Sequence, residues 1–228
     1  MFCAREGEKM NTGDFVYIDY VGRVKDTGEI FDLTKEDLAK KEGIYSPEIK
    51  YKPIPIIVDA KFILAGLNKA IKEMKVGEKR KVEIKPEEAF GERNPALVQT
   101  IPLSSFKEQK IEPKVGEIVN VAGFRGRIVS ISGGRVKVDF NHPLAGKTLE
   151  YEIEIVGEIK DTKEKVESIV FYFTGIEKED FEVNLKEKSV EIEFKKIFNL
   201  TREVKERIAN TIKEWVKLEE VRFVDVFK

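Results

Sequence analysis

The residues that could do chemistry are few. The 228-residue chain holds one cysteine, Cys3, and one histidine, His142. A nucleophilic Cys3 would need a base beside it, and nothing in the sequence brings His142 to it. One His and one Cys are too few for a soft-metal site, so neither a metal nor another cofactor is expected. What remains is aromatic. Residues 15–24 read as a strand with Val16, Ile18 and Tyr20 on one face. The chain then turns at Asp26, Thr27 and Gly28 and returns through Ile30, Phe31 and Asp32. Far downstream, residues 141–159 give a polar turn carrying His142 and a strand whose Leu149, Tyr151, Ile153 and Ile155 share a face. Paired, the two segments would set several rings and one carboxylate side by side. Taken singly, Tyr20, Phe31 and Tyr151 are also what plain core looks like, and Asp32 could instead cap a helix over residues 34–40.

The elements that must position these residues follow from composition and punctuation. A hydrophobic content of 41% marks a globular chain, and the formal net charge of −1 gives no reason to expect nucleic acid or a membrane as partner. Apolar runs such as residues 53–58 are too short to cross a bilayer. The first ten residues lack the apolar core of a signal peptide, so a cytoplasmic protein is expected, with residues 1–9 a flexible leader and Met10 an alternative start. Charged residues reach 36% and glutamine occurs only at Gln99 and Gln109, a composition that fits a thermophile.

Three marks divide the chain: residues 91–95, residues 141–143, and a charged stretch at 157–165 that reads as a linker. Between the first two, glycines 123, 126, 133 and 134 punctuate alternating apolar residues, the pattern of short antiparallel strands. After the third come an apolar run at 167–175 and a hairpin turning at 186–188. A helix follows over about residues 201–217, striped with Val204, Ile208, Ile212, Trp215 and Val216 and capped by Thr201 or Asn199, then a strand at 221–227.

Read in order, the motifs resemble the FKBP-type peptidyl-prolyl isomerases of the SlyD-like branch, in a long archaeal form with a C-terminal extension. The resemblance rests on Tyr20-Val21-Gly22, Thr27-Gly28, Phe31-Asp32, the apolar pair and glycine opening a helix within 62–84, Ala89-Phe90-Gly91, and the Asn-His-x-Leu-Ala-Gly turn at 141–146. It covers roughly residues 11–159. It implies an α+β fold: an antiparallel sheet wrapped on a short helix (residues 10–92 and 140–157), interrupted by a small all-β insert-in-flap domain (93–139). A separate α+β domain (158–228) would follow, dimerising through an open sheet edge or its apolar helix face.

The resemblance also implies an activity and a site. Tyr20, Phe31, Asp32, Ile63, Leu64, Leu67, Phe90 and Tyr151 would form the prolyl pocket, flanked by His142 and Leu144. Leu64 would offer its N–H to a substrate carbonyl, Leu67 would be the floor, and Asp32 would stand in the wall, bonded to a tyrosine hydroxyl. Leu97, Val98, Ile101, Leu103 and Phe106 are the expected contacts of the insert with unfolded or proline-containing polypeptide. Phe90 stands where relatives commonly have Tyr and Leu67 where many have Trp, so modest turnover and weak macrolide binding are expected. The alternative is a non-enzymatic holdase or adaptor with a vestigial pocket.

Overall fold

A computed structural model describes residues 8–196 and 198–226, leaving aside the side chain of Asp225. Cys3, Met1, the first seven residues of the expected leader, and Phe227 lie outside that range.

The first half builds one side of a sheet. Strand β1 (Phe15–Val24) turns through Gly28 into β2 (Ile30–Leu33); helix α1 (Glu36–Lys41) and strand β3 (Ile54–Ile57) follow, then helix α2 (Ala65–Lys72) and β4 (Lys79–Ile84). The chain leaves for β5 (Val98–Pro102), the short helix α3 (Leu103–Glu108), β6 (Ile118–Val121), β7 (Phe124–Ser132) and β8 (Arg135–Asp139). It returns in β9 (Leu149–Ile159), which pairs antiparallel with both β1 and β4. The first sheet therefore runs β2-β1-β9-β4 with β3 also on β1, and the intervening segment makes its own sheet, β5-β8-β7-β6. That segment carries one short helix among its strands, so it is not purely β.

Helix α2 is held on the sheet by Leu67, Ala70 and Ile71, with Met74 just beyond its end. Burying the Leu, Ile and Met side chains contributes about 1.5–3 kcal/mol each. Gly66 permits the close approach, because a Cβ there would stand 2.6 Å from Ile84 Cγ2.

The rest of the chain corrects the sequence reading. Residues 157–165 are not a linker: β9 runs to Ile159 and, after only Lys160 and Asp161, helix α4 (Thr162–Thr174) starts, capped by Asp161, whose carboxylate accepts from the Glu164 N–H at 2.9 Å. The charges that suggested a linker are the solvent side of a strand end and a helix start. A boundary at 157/158 would cut through β9.

Strands β10 (Phe181–Leu185) and β11 (Ser189–Phe194) form the hairpin, and helix α5 (Arg202–Thr211), capped by Thr201, continues as a π-helical turn, Ile212–Val216. Strand β12 (Glu220–Asp225) lies parallel to β11, giving the order β10-β11-β12. Ile208 and Ile212 of the helix stripe are buried in this module's core. Its apolar face is thus already covered, and of the two expected dimerisation routes only a sheet edge stays open.

This module is not separate either. Phe15, Ile57 and Ile159 of the first sheet belong to one apolar cluster with Val166, Ile169, Phe181, Phe194 and Ile208. Strand β1 is buried on both faces: Val16 and Ile18 look toward α2, Phe15 and Tyr17 toward α4. A bulge lets β9 follow suit. Tyr17 pairs with Gly157 but Ile18 pairs with Ile155, so one extra residue flips the face and Ile159 joins Phe15 in the second core. Among the described residues no helix is long and apolar enough to cross a membrane.

Candidate functional site

The pairing of β1 with β9 sets Tyr20 opposite Ile153 and Gly22 opposite Tyr151, while β2 brings Asp32 opposite Gly22. Three rings meet there. Tyr151 lies 5.8 Å from Tyr20 (tilted) and 5.6 Å from Phe31, edge-on at 79°. Gly22 is the residue that allows this: a Cβ on it would come within 2.7 Å of Phe31 Cζ and 3.1 Å of Tyr151 Cε1. The Tyr20 hydroxyl donates to Asp32 Oδ2 at 2.7 Å. Asp32 therefore does not cap a helix; Lys35 occupies the N-cap of α1 without a side-chain bond.

Leu67 and Tyr151 are buried at 5% exposure, with Tyr20, Phe31, Ile63, Leu64 and Phe90 half-buried around them. The floor is thus largely covered by its rim. Leu64 is the N-cap of α2, and no described residue accepts from its N–H. Phe90 stacks on His142, ring centroids 4.1 Å apart and nearly parallel, and His142 Nδ1 accepts from the Leu144 N–H at 3.2 Å. Leu144 in turn packs on the core.

Burial raises the Tyr20 hydroxyl pKa well above its ordinary value, with the Asp32 charge and hydrogen bond adding to it; burial and then Asp32 do the same for Tyr151. Both phenols stay protonated, so the group is a neutral aromatic wall with one carboxylate at its edge.

A cleft of about 1150 Å³ opens beside this cluster, between Phe31, His142 and Leu144 on one side and Ile118, Arg127 and Val129 of the intervening module on the other. Phe31 belongs to both the ring cluster and the cleft. The expected client contacts divide here. Leu97 is 41% exposed and Val98 half-buried, whereas Phe106 is 3% exposed at the centre of the module's core, with Ile101 and Leu103 packed on it. Phe106 therefore offers no surface. Besides Leu97, the exposed apolar side chains of the module include Phe124 (70%), Val115, Ile118 (49%), Val129 (41%) and Ile131, which alternation alone could not separate from core.

Sequence reasoning also missed a contact from the C-terminal module. Tyr172 on α4 donates its hydroxyl to the Phe62 carbonyl at 2.6 Å, and the two rings stack at 4.5 Å. The run of aromatics at 171–173 was its only signal.

Comparison with known proteins follows the same division. The family described as FKBP26, IF domain, matches residues 99–144, the intervening module. A short-type peptidyl-prolyl cis-trans isomerase of Methanocaldococcus jannaschii is 37% identical over 143 residues, 63% of this chain and 90% of that protein. The FKBP-type isomerase SlyD of Helicobacter pylori is 30% identical over 126 residues, 54% of this chain and 68% of that one. Among solved structures, the N-terminal domain of FKBP42 from Arabidopsis thaliana covers 68% of this chain and 80% of its own, at 19% identity and a TM-score of 0.36. With relatives of this identity matched over most of their length, the chain belongs to the FKBP-type peptidyl-prolyl cis-trans isomerases.

Proposed function

We propose that this chain is an active prolyl isomerase and a folding chaperone, a long family member in which residues 93–139 form the insert that holds unfolded chain and the ring cluster turns its X-Pro bonds. The observation that carries this reading is the convergence of Tyr20, Phe31 and Tyr151 around Gly22, with Asp32 fixed at their edge by the Tyr20 hydroxyl.

Rotation about an X-Pro bond needs no nucleophile. The obstacle is amide resonance, a barrier of about 18–20 kcal/mol, and the half-rotated amide has lost much of its C–N double-bond character and carbonyl polarity. A ring-lined, water-poor site favours that state over the planar one relative to water. A thousandfold acceleration asks for only about 4 kcal/mol. In this reading the prolyl ring sits over Leu67 and Tyr151 against Phe31. The Leu64 N–H donates to a substrate carbonyl, fixing one side of the bond while the other turns. Asp32, oriented by Tyr20, faces the carbonyl of the twisting bond. Phe90 offers no hydroxyl to ligand and holds His142 instead. The exposed Ile118 and Val129 supply apolar contact for a client lying in the cleft, and the exposed Leu97 adds apolar surface outside it.

Turnover of a proline-containing tetrapeptide tests this. Phe31→Ala and Asp32→Ala should each lower kcat/KM by about tenfold or more, each tenfold being ~1.4 kcal/mol of transition-state stabilisation, measured well below the melting temperature of each variant so that lost packing is not read as lost catalysis. An unchanged rate in both variants removes the catalytic assignment and leaves the holdase or adaptor reading in its place.

A further inference from the structure

The loop that delivers Ile63 and Leu64 to the pocket rim is held from both sides. On its own side, the Asp59 carboxylate accepts from Lys72 at 2.6 Å and its N–H donates to Asn68 Oδ1 at 3.1 Å. Asp59 and Lys61 both take left-handed backbone angles, φ 66° and 59°, which non-glycine residues adopt only when surrounding contacts impose them. Between these residues and Leu64 the hold comes from the C-terminal module. Phe62 stacks on Tyr172, meets Phe173 edge-on at 5.4 Å, and accepts the Tyr172 hydroxyl on its carbonyl at 2.6 Å.

The seam is apolar, with a shallow gap between β3 and α4 lined by Ile56, Phe62, Ile169 and Tyr172 among others. Burial raises the Tyr172 hydroxyl pKa, so it remains a donor throughout the neutral range.

We infer that Tyr172 is a positioning residue of the prolyl site: its hydroxyl, bonded to the Phe62 carbonyl, sets where Ile63 and the Leu64 N–H stand, so the C-terminal module builds part of the pocket rim. The kinetic side of this inference rests on the isomerase reading above. A group that fixes the Leu64 N–H strengthens binding of the planar substrate and the twisted state alike, because both present the same carbonyl to it. Loss of uniform binding raises KM and leaves kcat in place. A merely structural defect does the reverse, lowering the active fraction, and with it apparent kcat, at unchanged KM.

Tyr172→Phe in the full chain keeps the ring stack and removes only the hydrogen bond. Two measurements are read together: the NMR signals of the Leu64 amide and the Ile63 methyl groups, and kcat and KM on a proline tetrapeptide. Those signals should shift and KM rise about two- to tenfold, the equilibrium counterpart of one hydrogen bond, with kcat unchanged. Val183→Ala, a cavity on β10 in the same core, should lower the melting temperature and leave KM alone. Unchanged signals for the Leu64 amide and the Ile63 methyl groups overturn the inference whatever the kinetics. So does an unchanged KM in Tyr172→Phe when the wild type turns substrate over with the expected dependence on Phe31. A wild type without turnover sinks the isomerase reading itself, and the positioning role falls with it.

Discussion

Two modules hang from the same five-stranded sheet, and they are joined to it in opposite ways. The C-terminal module shares a core with it: Phe15, Ile57 and Ile159 pack with Val166, Ile169 and Ile208 in one cluster. The insert keeps a core of its own, five buried side chains including Phe106 and Ile128, and the two chain crossings that connect it to the sheet are tied to each other by polar bonds. Arg93 pairs with Asp139 at 2.5 Å, the Asn94 N–H donates to Asn141 Oδ1 at 2.8 Å, and Asn141 Nδ2 returns a bond to the Asn94 carbonyl at 3.0 Å. An apolar seam transmits displacement because it has no slack. A polar hinge of a few bonds can break and re-form in water at little net cost. The first kind of joint suits a part that sets pocket geometry, the second a part that must open around clients.

The largest effect should come from the apolar seam. Phe15, 1% exposed, contributes to the second core from a strand of the first sheet. Phe15→Ala should cost about 3–5 kcal/mol, and calorimetry should show the first sheet and the C-terminal module melting in one transition at lower temperature. Two resolved transitions for those parts would mean the seam is an interface between independent domains, and the contrast with the insert would collapse.

A smaller effect is expected at the hinge. Asn141→Ala removes three hydrogen bonds, those to and from Asn94 and the one from Nδ2 to Asp139 Oδ1 at 2.7 Å. The cost should be about 1–3 kcal/mol and local. Hydrogen exchange should quicken at Asn94 and Ala96 while the β1 and β9 amides keep their protection. Loss of protection in β1 would show the hinge to be as tightly coupled as the seam.

How much of this was legible in the sequence differs by region for a physical reason. Spacing by two reported shared faces, Tyr20 with Val16 and Ile18, Tyr151 with Leu149 and Ile153, but that these rings and Phe31 form a pocket instead of plain core came only from the family resemblance. The fused C-terminal core was not legible. Phe15 and Tyr17 sit on the second face of β1, and a strand buried on both faces shows no alternation to decode. The bulge at residue 156 that turns Ile159 into that core leaves no mark in the sequence. Charge misled at 157–165, where Asp161 is a helix cap and its neighbours are merely the wet side. Within the insert, Phe106 and Phe124 look equivalent as residue types, yet one is core and the other is 70% exposed. Only tertiary packing distinguishes them.

The smallest effect tests a polar contact laid across the apolar seam. Glu177, just after α4, accepts from Lys52 at 2.6 Å and Lys50 at 2.9 Å, both in the segment leading into β3, and Lys52 also lies over the Phe171 ring. Burial pushes the Glu177 carboxyl up, but Lys52 and then Lys50 outweigh it and leave its pKa below the ordinary 4.5. A carboxylate with a depressed folded pKa contributes stability that is present above the unfolded value and is lost as pH falls through the folded one. Because both lysines are substantially exposed, Glu177→Gln should cost only about 0.5–1 kcal/mol at pH 7. The gap between wild type and variant should narrow below pH 4.5 and close once the carboxyl is protonated in the folded state. It should also shrink in high salt, where the apolar seam measured by Phe15→Ala does not weaken. A Glu177→Gln cost as large as that of Phe15→Ala would mean that charge pairing, and not the shared core, joins the C-terminal module to the sheet.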